Sequence, residues 1–164
     1  MHLKRRKFLK SIGSAAVGVG FFPTIIKAST LGLGGNVPPS DRINMILIGC
    51  GGMGRGDINQ FLKFDDVRPV AVCDIDDSQA AKAKKMIDDK YGNSDCRVYK
   101  DFREILEKED TDTAVIAVPD HWHALIAVNV AEKGINIYCE KPLARSIVEG
   151  RAIVNAVNRN NIIW

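Results

Sequence analysis

From Ile43 onward, short continuously apolar runs alternate with stretches of helical spacing, and this rhythm constrains the fold more than any other feature of the chain. The runs are Ile43–Gly49 (INMILIG), Arg68–Asp74 (RPVAVCD), Arg97–Tyr99, Thr113–Val118 (TAVIAV) and Ile135–Glu140 (INIYCE). Most are apolar at nearly every position rather than every second one, the pattern of strands buried on both faces. Between them, Ile58, Phe61 and Leu62 have the i, i+3, i+4 spacing of a helix face, as do Phe102, Ile105 and Leu106. Further helices are predicted over Ser78–Lys90, over Trp122–Lys133 with Gly134 as its stop, and over Ser146–Asn158 with Gly150, Ile153, Val154 and Val157 on one face. Strand–helix alternation with right-handed crossovers predicts an α/β fold, a doubly wound parallel sheet covered by helices on both sides. Asn161–Trp164 begins a further strand, so the chain reads as cut inside an element.

Charge divides the chain in two. The net charge of the 164 residues is +3, but residues 1–27 hold six basic side chains (Lys4, Arg5, Arg6, Lys7, Lys10, Lys27) and no acid, which leaves residues 28–164 at −3. A slightly acidic body gives no reason to expect a nucleic-acid partner. Arg5-Arg6, followed by Phe8, Leu9 and Lys10 and then an apolar run from Ser11 to Ile26, resembles a bacterial twin-arginine export signal. The run is 16 residues, just under the roughly 17–25 that span a bilayer. Residues 1–28 are therefore expected to be a signal peptide read by the export machinery, with a periplasmic or otherwise exported destination. Ala28 and Ser29 are small, but Ile26 and Lys27 precede them and leave no clean cleavage site; a basic amphipathic helix or an uncleaved anchor is the alternative. Residues 29–42, with Gly32, Gly34, Gly35, Pro38 and Pro39, read as a linker, and 43–164 as the domain. Cys50, Cys73, Cys96 and Cys139 lack C-x-x-C or zinc-finger spacing. Cys50, Cys73 and Cys139 fall at or near the ends of apolar runs and are expected to be buried thiols, with a Cys50–Cys73 bridge the lesser alternative.

Three clusters carry chemistry. The first strand runs into Gly49-Cys50-Gly51-Gly52-Met53-Gly54, a G-x-G-x-x-G turn with an added glycine. Gly49 permits the tight turn, Gly51 lets the backbone approach a pyrophosphate, and Gly54 lets the next helix pack on the sheet. Asp74, 20 residues after Gly54 at the end of the second strand, is placed to bind ribose hydroxyls. Its charge would repel a 2′-phosphate, and Ile75, Asp76 and Asp77 supply no arginine to hold one, so NAD is expected rather than NADP. The second cluster is Pro119-Asp120-His121-Trp122-His123, with Asp120 a natural helix cap. His121 and His123 are two apart and face different sides of a helix, so no metal site is expected. The bland reading of this cluster is a cap and two surface histidines. The third cluster is Glu140-Lys141-Pro142, in isolation an ordinary solvated turn. The sheet, however, brings all three turns to its carboxyl edge, where such folds bind ligands.

Together "GCGGMGRGD", "VPDHWHALIAVNVAEKG" and "YCEKPLA" resemble the Gfo/Idh/MocA oxidoreductases over residues 42–164, with a Rossmann-type cofactor domain. The resemblance implies an amino-terminal NAD(P)-binding domain, and a carboxy-terminal open-sheet domain that binds a sugar or cyclitol and supplies the oligomer interface. It implies that Gly49, Gly51, Gly52, Met53 and Gly54 surround the pyrophosphate and Asp74 the ribose, while Pro119, Asp120 and His123 line the nicotinamide side. Glu140 would contact the cofactor. Lys141 would be the catalytic residue, sitting at the substrate hydroxyl and assisting its deprotonation, with Lys141-Pro142 often a cis bond. The usual reaction is hydride transfer between a sugar carbon and the nicotinamide. The family's other catalytic aspartate and histidine belong to the second domain, which this chain lacks, so a homo-oligomer is expected only where that domain is present. The leading expectation is an exported sugar or polyol oxidoreductase. A glycosidase that retains NAD and acts on a glycoside, and a non-catalytic NAD-binding fragment, are the alternatives.

Overall fold

The computed structural model describes residues 37–164. The twin-arginine leader and residues 29–36 of the linker lie outside the described residues. The elements run β1 (Ile43–Ile48), α1 (Gly52–Phe61), β2 (Val67–Cys73), α2 (Asp77–Tyr91), β3 (Arg97–Tyr99), α3 (Phe102–Lys108), β4 (Thr113–Ile116), α4 (Asp120–Glu132), β5 (Asn136–Cys139) and α5 (Ile147–Asn160). The sheet is wholly parallel, in the order β3-β2-β1-β4-β5. The chain winds outward from β1 through β2 to β3, then returns to the other side for β4 and β5. That reversal opens a crevice between β1 and β4 at their carboxyl ends.

Both faces of the sheet are core, which explains the unbroken apolar runs. Alternate residues divide between the faces. Ile46, Ile48, Ala114 and Ile116 pack under α3, α4 and α5, against Ile105, Ile126, Val130 and Ile153. Met45, Leu47, Val72 and Val115 pack under α1 and α2, against Ile58, Ala83 and Ile87. Pro69 lies inside β2, where it removes a ladder donor. The β1–β2 register shifts there, and β3 pairs with β2 only from Ala71 onward, beyond the proline.

Local capping chemistry sets several helix ends. Asp76 accepts the Ser78 N–H at 2.8 Å to start α2, and Gly92, with φ of 65°, ends it. Asp101 accepts the Arg103 N–H at 2.8 Å to start α3, and Ser146 Oγ accepts the Glu149 N–H at 3.2 Å to start α5.

Three expectations are corrected. Asp120 does not cap α4: the cap is Pro119, which makes no side-chain capping bond, and Asp120 is the first helical residue. Val154 does not belong to the buried face of α5, which is turned toward Ile153 and Ala156, leaving Val154 exposed. Asn161–Trp164 does not form a strand. Its contacts with β5 are the Ile137 N–H donated to the Ile163 carbonyl and the Ile163 N–H donated to Asn136 Oδ1, both at 2.9 Å, too few bonds for a ladder. The four cysteines are free thiols, three of them buried. Burial pushes Cys50, Cys73, Cys96 and Cys139 up to about 12.

Candidate functional site

The site begins where β1 ends. Gly49 has φ of +94°, a conformation that side chains resist, and a Cβ there would lie 2.2 Å from the Ala117 carbonyl oxygen at the end of β4. A Cβ on Gly54 would meet the Gly49 carbonyl oxygen at 2.1 Å, so α1 sits directly on the turn only because position 54 is glycine. Gly51 and Gly52 differ: a Cβ on either would enter open space, so they present bare backbone outward. Gly51 caps α1 with no side-chain acceptor, which leaves the first-turn N–H groups available to an anion. Met53 stands exposed beside them.

Asp74 has a role that the spacing argument did not foresee. Its Oδ2 accepts the Cys50 N–H at 2.7 Å and its Oδ1 accepts the Asp76 N–H at 2.9 Å. The carboxylate therefore ties the glycine turn to the end of β2, and Asp74 also lines the crevice. Gly49 reinforces the tie by donating its N–H to the Cys73 carbonyl at 2.9 Å.

A cavity of about 450 Å³ opens over these groups, lined by Gly49, Gly51, Asp74, Ile75, Val118 and Pro119 and closed at the side by Phe102 and Trp122. Phe102 and Trp122 meet edge to face at 6.5 Å, and the Arg103 guanidinium lies 4.5 Å above the Phe102 ring. Ile75, which also lines the cavity, is exposed. Apolar side chains and a carboxylate in one lining suit a heterocycle joined to a polyol. Ile75, Phe102 and Trp122 were missed as site residues; Ile75 and Trp122 are apolar side chains left exposed just past strand ends, whereas Phe102 is buried and gives no such signal. Lys100 and Arg103 also line the cavity, but each is bridged to a carboxylate, Asp77 at 2.8 Å and Asp101 at 3.1 Å.

On the other side of the crevice the placements are less uniform. His123 is expected to line the nicotinamide side, but it is fully buried, with Nε2 2.6 Å from the Val118 carbonyl and Nδ1 3.4 Å from Cys139 Sγ. The carbonyl can only accept, so Nε2 carries the proton, while the Cys139 thiol lies within reach of both Nδ1 and the Glu140 carbonyl. His123 therefore acts inward, fastening the Val118-Pro119 loop to β5, and offers no ring nitrogen to a ligand. Pro119 and Asp120 are exposed at the mouth of that loop, and His121 is a surface residue 6.0 Å from the Trp122 ring. Beyond β5, the Glu140 N–H is donated to the Ile116 carbonyl at 2.9 Å, extending the sheet's bonding by one residue. Glu140 Oε2 accepts the Lys141 N–H at 3.3 Å, and Lys141-Pro142 is a cis peptide. Lys141 is exposed. All three clusters thus share the carboxyl edge, although the 450 Å³ cavity reaches only the first and part of the second.

A glycine cradle at a helix amino terminus, a carboxylate at the end of the second strand and a crevice at the switch point define a dinucleotide-binding domain. The chain belongs to the Gfo/Idh/MocA family, whose model, described as "Oxidoreductase family, NAD-binding Rossmann fold", matches residues 43–164. The cofactor of this domain is NAD. A glycosyl hydrolase family 109 protein of Shewanella pealeana is 30% identical over 97% of this chain and 38% of its own length. Among solved structures, a dehydrogenase from Chromobacterium violaceum superposes with a TM-score of 0.68 at 26% identity, over 74% of this chain and 34% of that one. A WlbA dehydrogenase from the same organism, solved with NADH and UDP-GlcNAcA, has a TM-score of 0.64 at 23% identity, over 77% of this chain and 35% of that one, a likeness of fold alone. The chain thus spans about two fifths of the Shewanella pealeana relative and about a third of these solved chains.

Proposed function

We propose that this chain is the cofactor-binding part of an exported oxidoreductase that passes a hydride between NAD and a sugar or polyol. The observation that carries the reading is the convergence of the glycine cradle, Asp74 and the Glu140-Lys141 turn on one sheet edge. In this reading the N–H groups at Gly51, Gly52, Met53 and Gly54 bind the pyrophosphate and Asp74 the adenosine ribose, while Ile75 and the Phe102–Trp122 wall flank the base. Pro119 and Asp120 lie along the nicotinamide half, and Glu140 contacts it. NAD supplies the hydride acceptor or donor. Lys141 supplies positive charge at the substrate oxygen, so that a hydroxyl gives up its proton more readily as its carbon loses hydride.

The sugar class is supported by the relatives: one solved chain of this fold holds UDP-GlcNAcA. The exported destination is supported by the Arg5-Arg6 leader. A second reading is favoured by the glycosyl hydrolase family 109 relatives: NAD stays bound, a ring carbon is oxidised and later reduced, and a glycosidic bond is cleaved between those steps. Full-length protein incubated with sugars, polyols and aryl glycosides separates the readings. Net formation of free NADH supports the first, and aglycone release without net NADH supports the second. Bound NAD with neither reaction overturns both and leaves a non-catalytic binding domain.

A further inference from the structure

Among the described residues, one buried side-chain polar atom has no hydrogen-bond partner: Oδ2 of Asp57, on α1. Its surroundings explain what it faces. One turn later on the same helix face, Phe61 meets Tyr138 of β5 edge to face, with ring centroids 5.3 Å apart and planes at 86°. The helix runs opposite to the strand, as a β-α-β crossover requires. Moving back four residues from Phe61 to Asp57 covers about 6 Å along the helix. Moving forward two residues from Tyr138 to Glu140 covers about 6.6 Å along the strand and keeps the same side of the sheet. The Phe61–Tyr138 contact therefore sets Asp57 opposite Glu140.

We propose that Asp57 is a positioning residue that acts through Glu140, the two carboxyl groups sharing one proton. Glu140 Oε2 already accepts the Lys141 N–H, and its Oε1 is left to receive the Asp57 hydroxyl. Glu140 is then held from both sides, by α1 and by the backbone of Lys141, at the strand end proposed to meet the nicotinamide. The electrostatics agree: burial first, and then the Glu140 charge, hold the Asp57 carboxyl above its ordinary range. Among the described residues no cation draws it back down. Arg55 on the same helix is hydrogen-bonded to the Cys50 carbonyl and the Gln79 side chain, and Lys141 is exposed. Tyr138 is the other titratable group facing α1 from β5.

The inference rests on Glu140 as a cofactor contact, and two measurements on the full chain keep that reading separate from this one. Carbon-13 NMR of the side-chain carboxyls should find Asp57 titrating above the ordinary aspartate range and moving down in Glu140→Gln. Titration with NAD across pH should show affinity weakening as pH rises through the Asp57 transition, because two facing carboxylates then repel. Asp57→Asn, which still donates to Glu140, should keep affinity within about twofold and abolish the pH bend, while Asp57→Ala should lose about tenfold. An Asp57 resonance at the ordinary position and indifferent to Glu140→Gln overturns the pair, as does a bend that survives in Asp57→Asn. Should Asp57 titrate with Glu140 while NAD affinity ignores every variant, the shared proton stands; the positioning role then falls together with the Glu140 contact.

Discussion

The two sides of the carboxyl edge are built differently. Around β1 and β2 the turn is locked at three points: Gly49 lies against Ala117, Gly54 against Gly49, and Asp74 holds the Cys50 and Asp76 N–H groups. Beyond β5 the turn of Lys141, Pro142 and Leu143 is exposed, secured at its start by Glu140. The first side offers fixed backbone that a ligand can approach closely, and the second an exposed turn that carries Lys141. Cofactor affinity should therefore respond to substitutions on the first side and turnover to substitutions on the second.

The largest expected effect tests that division directly. Lys141→Ala in full-length protein is expected to lower turnover by about 10²–10⁴-fold, the usual range for a group assisting proton transfer, while NAD affinity changes less than about threefold. Rates near wild type would make Lys141 an ordinary turn lysine, and a parallel loss of NAD affinity would erase the contrast between the two sides. Next in size is the difference between two glycines. Gly49→Ala must force a Cβ into the Ala117 carbonyl at an unfavourable φ, and is expected to cost about 2–4 kcal/mol of stability in denaturant titration. Gly51→Ala enters open space and should cost less than about 1 kcal/mol of stability, yet weaken NAD binding. Equal stability losses would contradict the description of the turn.

Asp74→Ala is expected to weaken NAD by about 1–3 kcal/mol, measured calorimetrically, and to narrow the gap between NAD and NADP. Because the Cys50 N–H loses its acceptor as well, the Asn variant should recover part of the affinity by keeping an oxygen at that place. The last effect is absent near neutral pH and concerns the thiols. Their folded values near 12 lie above the ordinary thiol value of 9, so the unfolded chain releases these protons first. Stability should be unaffected below about pH 9 and decline as pH rises from there toward 12. Thermal unfolding across that range checks it against a variant with Cys50, Cys73 and Cys96 replaced by alanine or serine, in which the decline should be shallower.

Much of this architecture was legible because burial on two faces writes itself into sequence: runs such as Met45–Ile48 and Ala114–Ile116 have no polar residue to spare. The glycine turn was legible for a related reason, since Gly49 and Gly54 are each dictated by a backbone oxygen closer than any side chain tolerates. What escaped depends on contacts between distant segments. The Phe102–Trp122 wall exists because β3 and β4 bring the starts of α3 and α4 to the same rim of the crevice, which neither residue's neighbours reveal. The resemblance sets His123 on the nicotinamide side and its spacing alone suggests a surface residue, but one turn into α4 it faces inward to the Val118 carbonyl and Cys139. The second role of Asp74, as acceptor for Cys50, follows from the β1–β2 register rather than from its spacing to Gly54.

The central claim is that the locked side of the edge is an NAD site with Asp74 at the ribose. Parallel calorimetric titrations of the full chain with NAD and NADP test it most directly. The account predicts saturable one-to-one binding of NAD, with NADP at least about tenfold weaker because its 2′-phosphate meets the Asp74 carboxylate. Equal affinities for the two cofactors, or no saturable binding of NAD, would contradict it.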